Sequence, residues 1–410
     1  MEILLIGVLL LSGLVFGTLG SHLFGVPRVV GYILVGTLFA PGLLGGLVGM
    51  HDTQWTQPLV SVALGVIAYV IGGAISPSQL RRLGWSIVGA TLGEVSGAFL
   101  MVTGAVLLLG MTVADLPLWS FALVLGALAP ATAPAAIVAV VHQYRARGPV
   151  TTTLLGMVAI DDAFGILIFA LVMAIVGSGS LGEALGTASW EIGAALLVGG
   201  GGGFLVERLS RRFHKKNMLL PLLLGGIMLT VGLAAWAGFS ALLAAMVLGF
   251  SVRWFCGPHA ERLFKPIEDL EETVFVLFFT FAGLHFAPSA VIDYWPLMLT
   301  YFIARAVGLF VGGGGGARLA RAPRAVWSNI GFGLFPQGGV AIGLALLLLN
   351  YPMFSQAGEI IVNLIATTTL LTESVGAISV RYGLHRAGEL YQNKPTRGGR
   401  LPGDVEGEAK

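Results

Sequence analysis

Asp161 and Asp162 stand side by side inside an apolar run, Val150–Val176, that is long enough to cross a bilayer. Carboxylates at membrane depth are costly, and where they occur they mark ion or proton pathways. A hard monovalent cation takes oxygen ligands, and a carboxylate with a nearby hydroxyl and free backbone carbonyls supplies them. Where proton and cation compete for one carboxylate, exchange of the two follows. Two adjacent aspartates also couple, so their titrations belong to the pair.

Such residues need a membrane scaffold, and the composition supplies one. The 410 residues are 56% hydrophobic and 11% charged, against about 25% charged in a soluble domain. Mean hydropathy is +0.88. This is an integral membrane protein. Its 60 glycines suit close helix packing in lipid, where small residues let backbones approach. The single cysteine, Cys256, excludes an intramolecular disulfide framework and offers no metal cluster. A net charge of +2 gives no reason to expect a nucleic-acid partner. Nothing points to an enzyme or a resident cofactor. The polar segment Tyr391–Lys410 reads as a disordered tail, leaving residues 1–390 as one membrane domain.

Spans of about 20 apolar residues number thirteen. They are Ile3–Gly20, Val29–Leu47, Pro58–Ile75, Ser86–Leu109, Trp119–Val141, Val150–Val176, Ser189–Val206, Met218–Ala237, Phe239–Trp254, Leu270–Phe286, Tyr294–Gly316, Ala325–Leu349 and Glu359–Val380. The first lacks a basic leading region and a small-residue cleavage site, so it is not read as a signal peptide. With the N-terminus outside, all 23 Lys and Arg except Arg305 fall in the inner loops or the tail. The outer loops hold Asp52, Asp115, Glu183 and Asp293 and no Lys or Arg. This parity follows the positive-inside rule, which a wrong span count would scramble. The expected location is a bacterial plasma (inner) membrane, with the N-terminus outside and the C-terminus cytoplasmic.

Spans two to six and nine to thirteen are offset by seven, so corresponding helices run in opposite directions, as in an inverted-topology repeat. The fifth span is interrupted by Pro130-Ala131-Thr132-Ala133-Pro134 and its counterpart, the twelfth, by Pro336-Gln337-Gly338-Gly339. Proline removes an N–H and clashes with the preceding turn. Backbone freed at membrane depth must be buried in protein or face a cavity. Paired interruptions at matching positions point to a transporter's binding site.

Depth brings further residues toward that site. At 1.5 Å per residue, Asp161 and Asp162 lie roughly 17 Å from one end of their helix, Thr132 roughly 20 Å from the other end of its own, and Glu94 roughly 12 Å into its span. Arg305 is mid-span. Glu373, in the last span, reads as structural or interfacial. One mid-membrane base cannot neutralise the three acids Glu94, Asp161 and Asp162, so at least one proton or metal cation is expected among them.

In order and spacing, Ala131-Thr132-Ala133-Pro134-Ala135, His142 to Pro149, and Ala159-Ile160-Asp161-Asp162 resemble the monovalent cation:proton antiporters, most closely the NapA-like and Kef-like branch. The closing Val380-Arg381-Tyr382-Gly383-Leu384-His385-Arg386-Ala387-Gly388-Glu389 is similar to the end of that family's membrane domain. The resemblance implies an all-α polytopic protein of thirteen transmembrane helices, with inverted-topology repeats and two crossed broken helices (NapA/NhaA-like). It implies a homodimer whose mobile core moves as an elevator against a static dimerisation domain. It makes Asp162 the principal cation and proton carrier, and it places Asp161 and Thr132 near the ion. The exchanged species would be Na⁺, K⁺ or Li⁺ and H⁺. No nucleotide-binding domain follows in these residues, so ligand gating of the Kef type is not expected.

The sequence departs from the family at Ala133, where Ser or Asp is frequent, at Gln337, near a position that is frequently charged, and at Arg305, where electrogenic members carry lysine. Arginine stays protonated, so a fixed Glu94–Arg305 pair would leave Asp162 as the exchangeable carboxylate and make transport electroneutral. An Arg305–Asp161 pair would instead leave Glu94 free to titrate.

Three other classes fit less well. An intramembrane aspartyl protease needs facing carboxylates, and adjacent helical residues point about 100° apart. A sodium-coupled organic-anion symporter of the bile-acid type shares the broken helices without requiring paired aspartates. A channel would need a selectivity-filter sequence, which is absent.

Overall fold

The computed structural model describes residues 2–24, 28–40, 43–44, 54–74, 84–113, 116–133, 137–138, 140–141, 144–158, 160–178, 181–212, 216–354 and 356–390. Pro134 and the segment 391–410 lie outside the described residues, as do Asp52 and Asp115. Regular structure among the described residues is helical.

The elements run α1 (Glu2–Phe24), α2 (Arg28–Leu38), α3 (Gln57–Ala74), α4 (Trp85–Leu109), α5 (Leu118–Leu128), α6 (Pro149–Val158), α7 (Asp161–Val176), α8 (Leu181–Ser210) and α9 (Lys216–Ala237). They continue with α10 (Ala241–Cys256), α11 (Glu261–Glu268), α12 (Glu271–Leu284), α13 (Pro288–Leu319), α14 (Arg324–Gly333), α15 (Gly339–Leu348) and α16 (Ala357–Arg386). Each of the thirteen predicted segments overlaps one of these helices or, for the sixth and twelfth, a pair, with α2 and α5 covering only the first halves of the second and fifth. Among the described residues, eight stretches are long and apolar enough to cross a membrane, the α6–α7 stretch among them, and the chain is a multi-pass membrane protein. Large apolar side chains such as Leu108, Leu197, Ile292 and Trp236 point outward, as a lipid-facing surface requires.

Three of the predicted spans are not continuous, the twelfth dividing into α14 and α15 at its expected interruption. The fifth stops as a helix at Leu128, at the expected interruption. The sixth, read as one apolar run, breaks at Ile160 (φ −131°, ψ −17°), so Asp161 and Asp162 form the first turn of α7. Local chemistry explains the break at Ile160. Aspartate competes with helical backbone bonding and favours helix starts, and its charge is stabilised by the partial positive charge there.

Packing repeats with the seven-segment offset. Helix α2 packs on α12 while α10 packs on α3; α4 packs on α5 while α13 packs on α14. The most extensive contact joins α4 to α13, which correspond to each other. A Cβ on Gly93 would lie 2.4 Å from the Gly312 carbonyl oxygen, one on Gly312 2.2 Å from that of Gly93, and one on Gly97 2.6 Å from that of Gly308. No other residue permits backbones this close, so dispersion between backbones holds the pair together.

The contacts sort the helices into two sets. One contains α1, α2, α3, α8, α9, α10 and α12; the other contains α4, α5, α6, α7, α13, α14, α15 and α16. They meet where α7 touches α3, α8 and α10, where α15 touches α3 and α12, and where α16 touches α2 and α12; α7 packs against both sets. All of the predicted site residues that are described belong to the second set.

Candidate functional site

The breaks after α5 and after α14 cross in direct contact. The Ala133 N–H donates to the Pro336 carbonyl at 3.0 Å. A Cβ on Gly338 would sit 2.4 Å from the Thr132 carbonyl oxygen, so glycine is what allows the two chains to touch. Pro130 ends α5 by removing a donor, and Pro336 does the same beyond α14. The result is two short helices with carbonyl-bearing C-termini directed at one place.

Arg305 on α13 occupies that place and is buried. Its Nε donates to the Ala129 carbonyl at 2.8 Å, Nη2 to Ala131 at 3.0 Å and Nη1 to Phe335 at 2.8 Å. One guanidinium therefore satisfies carbonyls freed by both breaks. The expected Glu94–Arg305 pair is not made as a contact: Glu94, buried on α4, has both carboxylate oxygens without a hydrogen-bond partner. The alternative Arg305–Asp161 pair is not made either; no ion pair joins Arg305 to an acid among the described residues. The reason is geometric. Unpaired carbonyls at membrane depth cost several kcal/mol each, on the order of a buried polar group in hydrocarbon, and the fork of five donors reaches three of them. The electroneutral expectation rested on that pair and loses its structural footing. Glu94 remains within electrostatic reach of Asp161, Asp162 and Arg305, and Arg305 of Asp161. Glu373, read as structural or interfacial, is buried and also within reach of Arg305.

The two aspartates differ in what they hold. Both are buried. Asp161 accepts the Thr132 hydroxyl at one oxygen and the Asp162 N–H at the other, the latter at 2.8 Å. Asp162 Oδ1 has no hydrogen-bond partner. So Asp161 is engaged with the first break, and Asp162 presents an unengaged carboxylate oxygen beside it. Thr132 is brought to the aspartates, Arg305 is brought to the break carbonyls, and Glu94 stands apart as a lone acid.

Gln337 is wholly buried in the second break. Its Nε2 donates to the Tyr301 hydroxyl at 2.9 Å and, longer, to the Leu128 carbonyl at 3.4 Å. Its backbone N–H donates to Thr372 Oγ1 at 3.2 Å. The Thr368 hydroxyl donates to Gln337 Oε1 at 3.5 Å, and Tyr301, Thr368 and Thr372 were not singled out from sequence. The signal was there: Tyr301 precedes Arg305 by one turn, and the two threonines are four apart on α16, so each set shares a helix face.

Comparison with known proteins agrees with the fold. The model of the sodium/hydrogen exchanger transmembrane family matches residues 7–382. The chain belongs to that family. It is 26% identical over 235 residues to the Na(+)/H(+) antiporter NhaP of Pseudomonas aeruginosa, a match covering 53% of this chain and 54% of the relative. The match thus spans about half the length of that relative. Two structures of the sodium proton antiporter MjNhaP1 from Methanocaldococcus jannaschii share the fold. The one at pH 8 superposes with a TM-score of 0.71 at 19% identity, covering 94% of this chain and 99% of its own. The electron-microscopy structure gives 0.66 at 20% identity, covering 95% and 96%. The family assignment leaves the organic-anion symporter alternative unsupported.

Proposed function

We propose that this protein exchanges a monovalent cation, Na⁺, K⁺ or Li⁺, for protons across the membrane, with Asp162 as the carboxylate for which the two compete. One observation carries the reading: Asp162 is buried beside the crossing breaks with an oxygen unengaged, while its neighbour Asp161 is occupied by Thr132 and by the Asp162 N–H. A carboxylate already hydrogen-bonded on both oxygens is a poorer cation ligand than one that is not. Asp161 and the Thr132 oxygen complete the ligand set in this proposal, with break carbonyls not held by Arg305.

The finer reading is thirteen crossings with the N-terminus outside, in a homodimer whose second helix set moves as an elevator against the first. The gathering of Thr132, Arg305 and both breaks on one of the two sets supports that motion, with α7 packed between the sets. The test is a proteoliposome assay with an internal pH dye, adding the chloride salt of each cation in turn. Cation-dependent proton efflux in the wild type, lost in Asp162→Asn at equal incorporation, is the expected result. Equal fluxes in the two would overturn the assignment.

A further inference from the structure

A second carboxylate is placed with unusual care far from the aspartates in sequence. Helix α16 ends at Arg386, the chain turns through Gly388 (φ +74°), and Glu389 folds back against the start of α6. There its carboxylate accepts the Val150 N–H, the Thr151 N–H and the Thr151 hydroxyl, each at 2.7 Å. Its carbonyl accepts the Arg147 N–H at 3.0 Å, and its own N–H donates to the Leu384 carbonyl at 3.0 Å. Glu389 is 7% exposed.

The sequence at the start of α6 is built to need such a partner. Pro149 begins the helix without an N–H, which suits the first position. The next donors, Val150 and Thr151, have no carbonyl within the helix to bond. The preceding residue is Gly148, which has no side chain to cap them. A Cβ at Gly148 would lie 2.3 Å from the Glu389 carboxylate carbon, and its φ of +156° also disfavours a side chain. The glycine leaves a cradle, and the carboxylate fills it, stabilised by the helix's partial positive charge. Nearby, the Arg381 guanidinium lies 4.9 Å over the Tyr144 ring and joins the same two segments a second time.

What α6 leads to makes the cap consequential. It runs ten residues, from Pro149 to Val158, and the break at Ile160 delivers Asp161 and Asp162. Helix α14, whose far end is the second break, is gripped between the capped elements: a Cβ on Gly333 would meet Leu154 of α6 at 2.3 Å, and Ser379 of α16 donates to the Phe332 carbonyl at 2.8 Å. The cap joins the start of α6 to the end of α16, and both helices in turn hold the end of α14 that leads into the second break.

We propose that Glu389 is a positioning residue for the exchange site: by capping α6 it sets the placement of Asp161 and Asp162 against Thr132. The proposal rests on the exchange reading above. Loss of the cap lets α6 shift, so cation binding weakens before the rate of turnover changes.

The experiment measures cation-dependent proton flux and cation-induced thermal stabilisation in the wild type, Glu389→Ala, Glu389→Gln and Gly148→Ala. Glu389→Ala should raise the apparent cation KM about tenfold, the scale of one charge-assisted hydrogen bond lost, with maximal rate within about twofold of wild type. Glu389→Gln retains an acceptor oxygen and should fall between, and Gly148→Ala should parallel Glu389→Ala. Hydrogen exchange of the amides in 149–158 should quicken in all three and remain slow in the wild type. A lowered melting temperature with an unchanged KM would overturn the proposal, reducing Glu389 to a structural cap. If Glu389→Ala does not fold, Glu389→Gln and Gly148→Ala decide by the same two readouts. A wild type that moves no cation refutes the exchange reading instead, and the cation dependence of thermal stabilisation in the variants then decides the positioning role.

Discussion

The Thr132 hydroxyl donates to the Asp161 carboxylate, tying the first broken helix to the first turn of α7. That single bond divides the labour of two adjacent acids. Asp161 is held on one oxygen by Thr132 and on the other by the Asp162 N–H, and Asp162 is left with an oxygen that has no hydrogen-bond partner.

Thr132→Ala is therefore expected to act twice, by removing a neutral oxygen from the ion's surroundings and by freeing Asp161. The apparent cation KM should rise several-fold, about 1 kcal/mol in binding for one hydrogen bond, with a smaller change in maximal rate. Asp162→Asn should abolish exchange altogether. Flux against cation concentration in proteoliposomes checks both, and an unchanged KM in Thr132→Ala would separate its hydroxyl from the ion.

Replacing Arg305 should cost more stability than its lack of an ion pair suggests. Its three bonds satisfy the Ala129, Ala131 and Phe335 carbonyls, and each unsatisfied buried acceptor costs about 1–3 kcal/mol. Arg305→Ala should lower the melting temperature markedly in detergent. Arg305→Lys should restore little, since an ammonium lacks the planar fork that reaches both breaks.

Glu94→Gln should leave thermal stability unchanged or raise it. Removing one partner of a buried pair costs about 3–5 kcal/mol, but Glu94 has no contact partner to strand. The amide keeps the shape and avoids an unpaired buried acid. A fall in melting temperature as large as that in Arg305→Ala would show that the two are energetically paired.

Gly93→Leu and Gly312→Leu should each drive α4 from α13 and lower both stability and exchange. The close approaches leave no room even for a Cβ, and overpacking costs about 1–3 kcal/mol or more. Gly104→Leu is the control on the same helix, because nothing lies within 4 Å of a Cβ there. Melting curves of the three variants, set against wild type, give the comparison.

The segments that become helices were legible from residue type alone. Apolar length sets where a helix can sit in a membrane, and proline with glycine sets where it must stop; both are local properties of the chain. The aspartate pair, Thr132, Arg305 and both interruptions could be picked out for the same reason. The break before Asp161 was less visible because it has no proline or glycine, only a helix start within an apolar run. Partner choice was decided by the tertiary structure. Arg305 bonds Ala131, 174 positions away, and Glu389 caps Val150, 239 positions away. Nothing in the local sequence states whether a buried arginine meets a carboxylate or three carbonyls. That depends on which orphaned backbone groups the crossing of two broken helices brings within reach, and the guanidinium goes where the unpaired acceptors are densest.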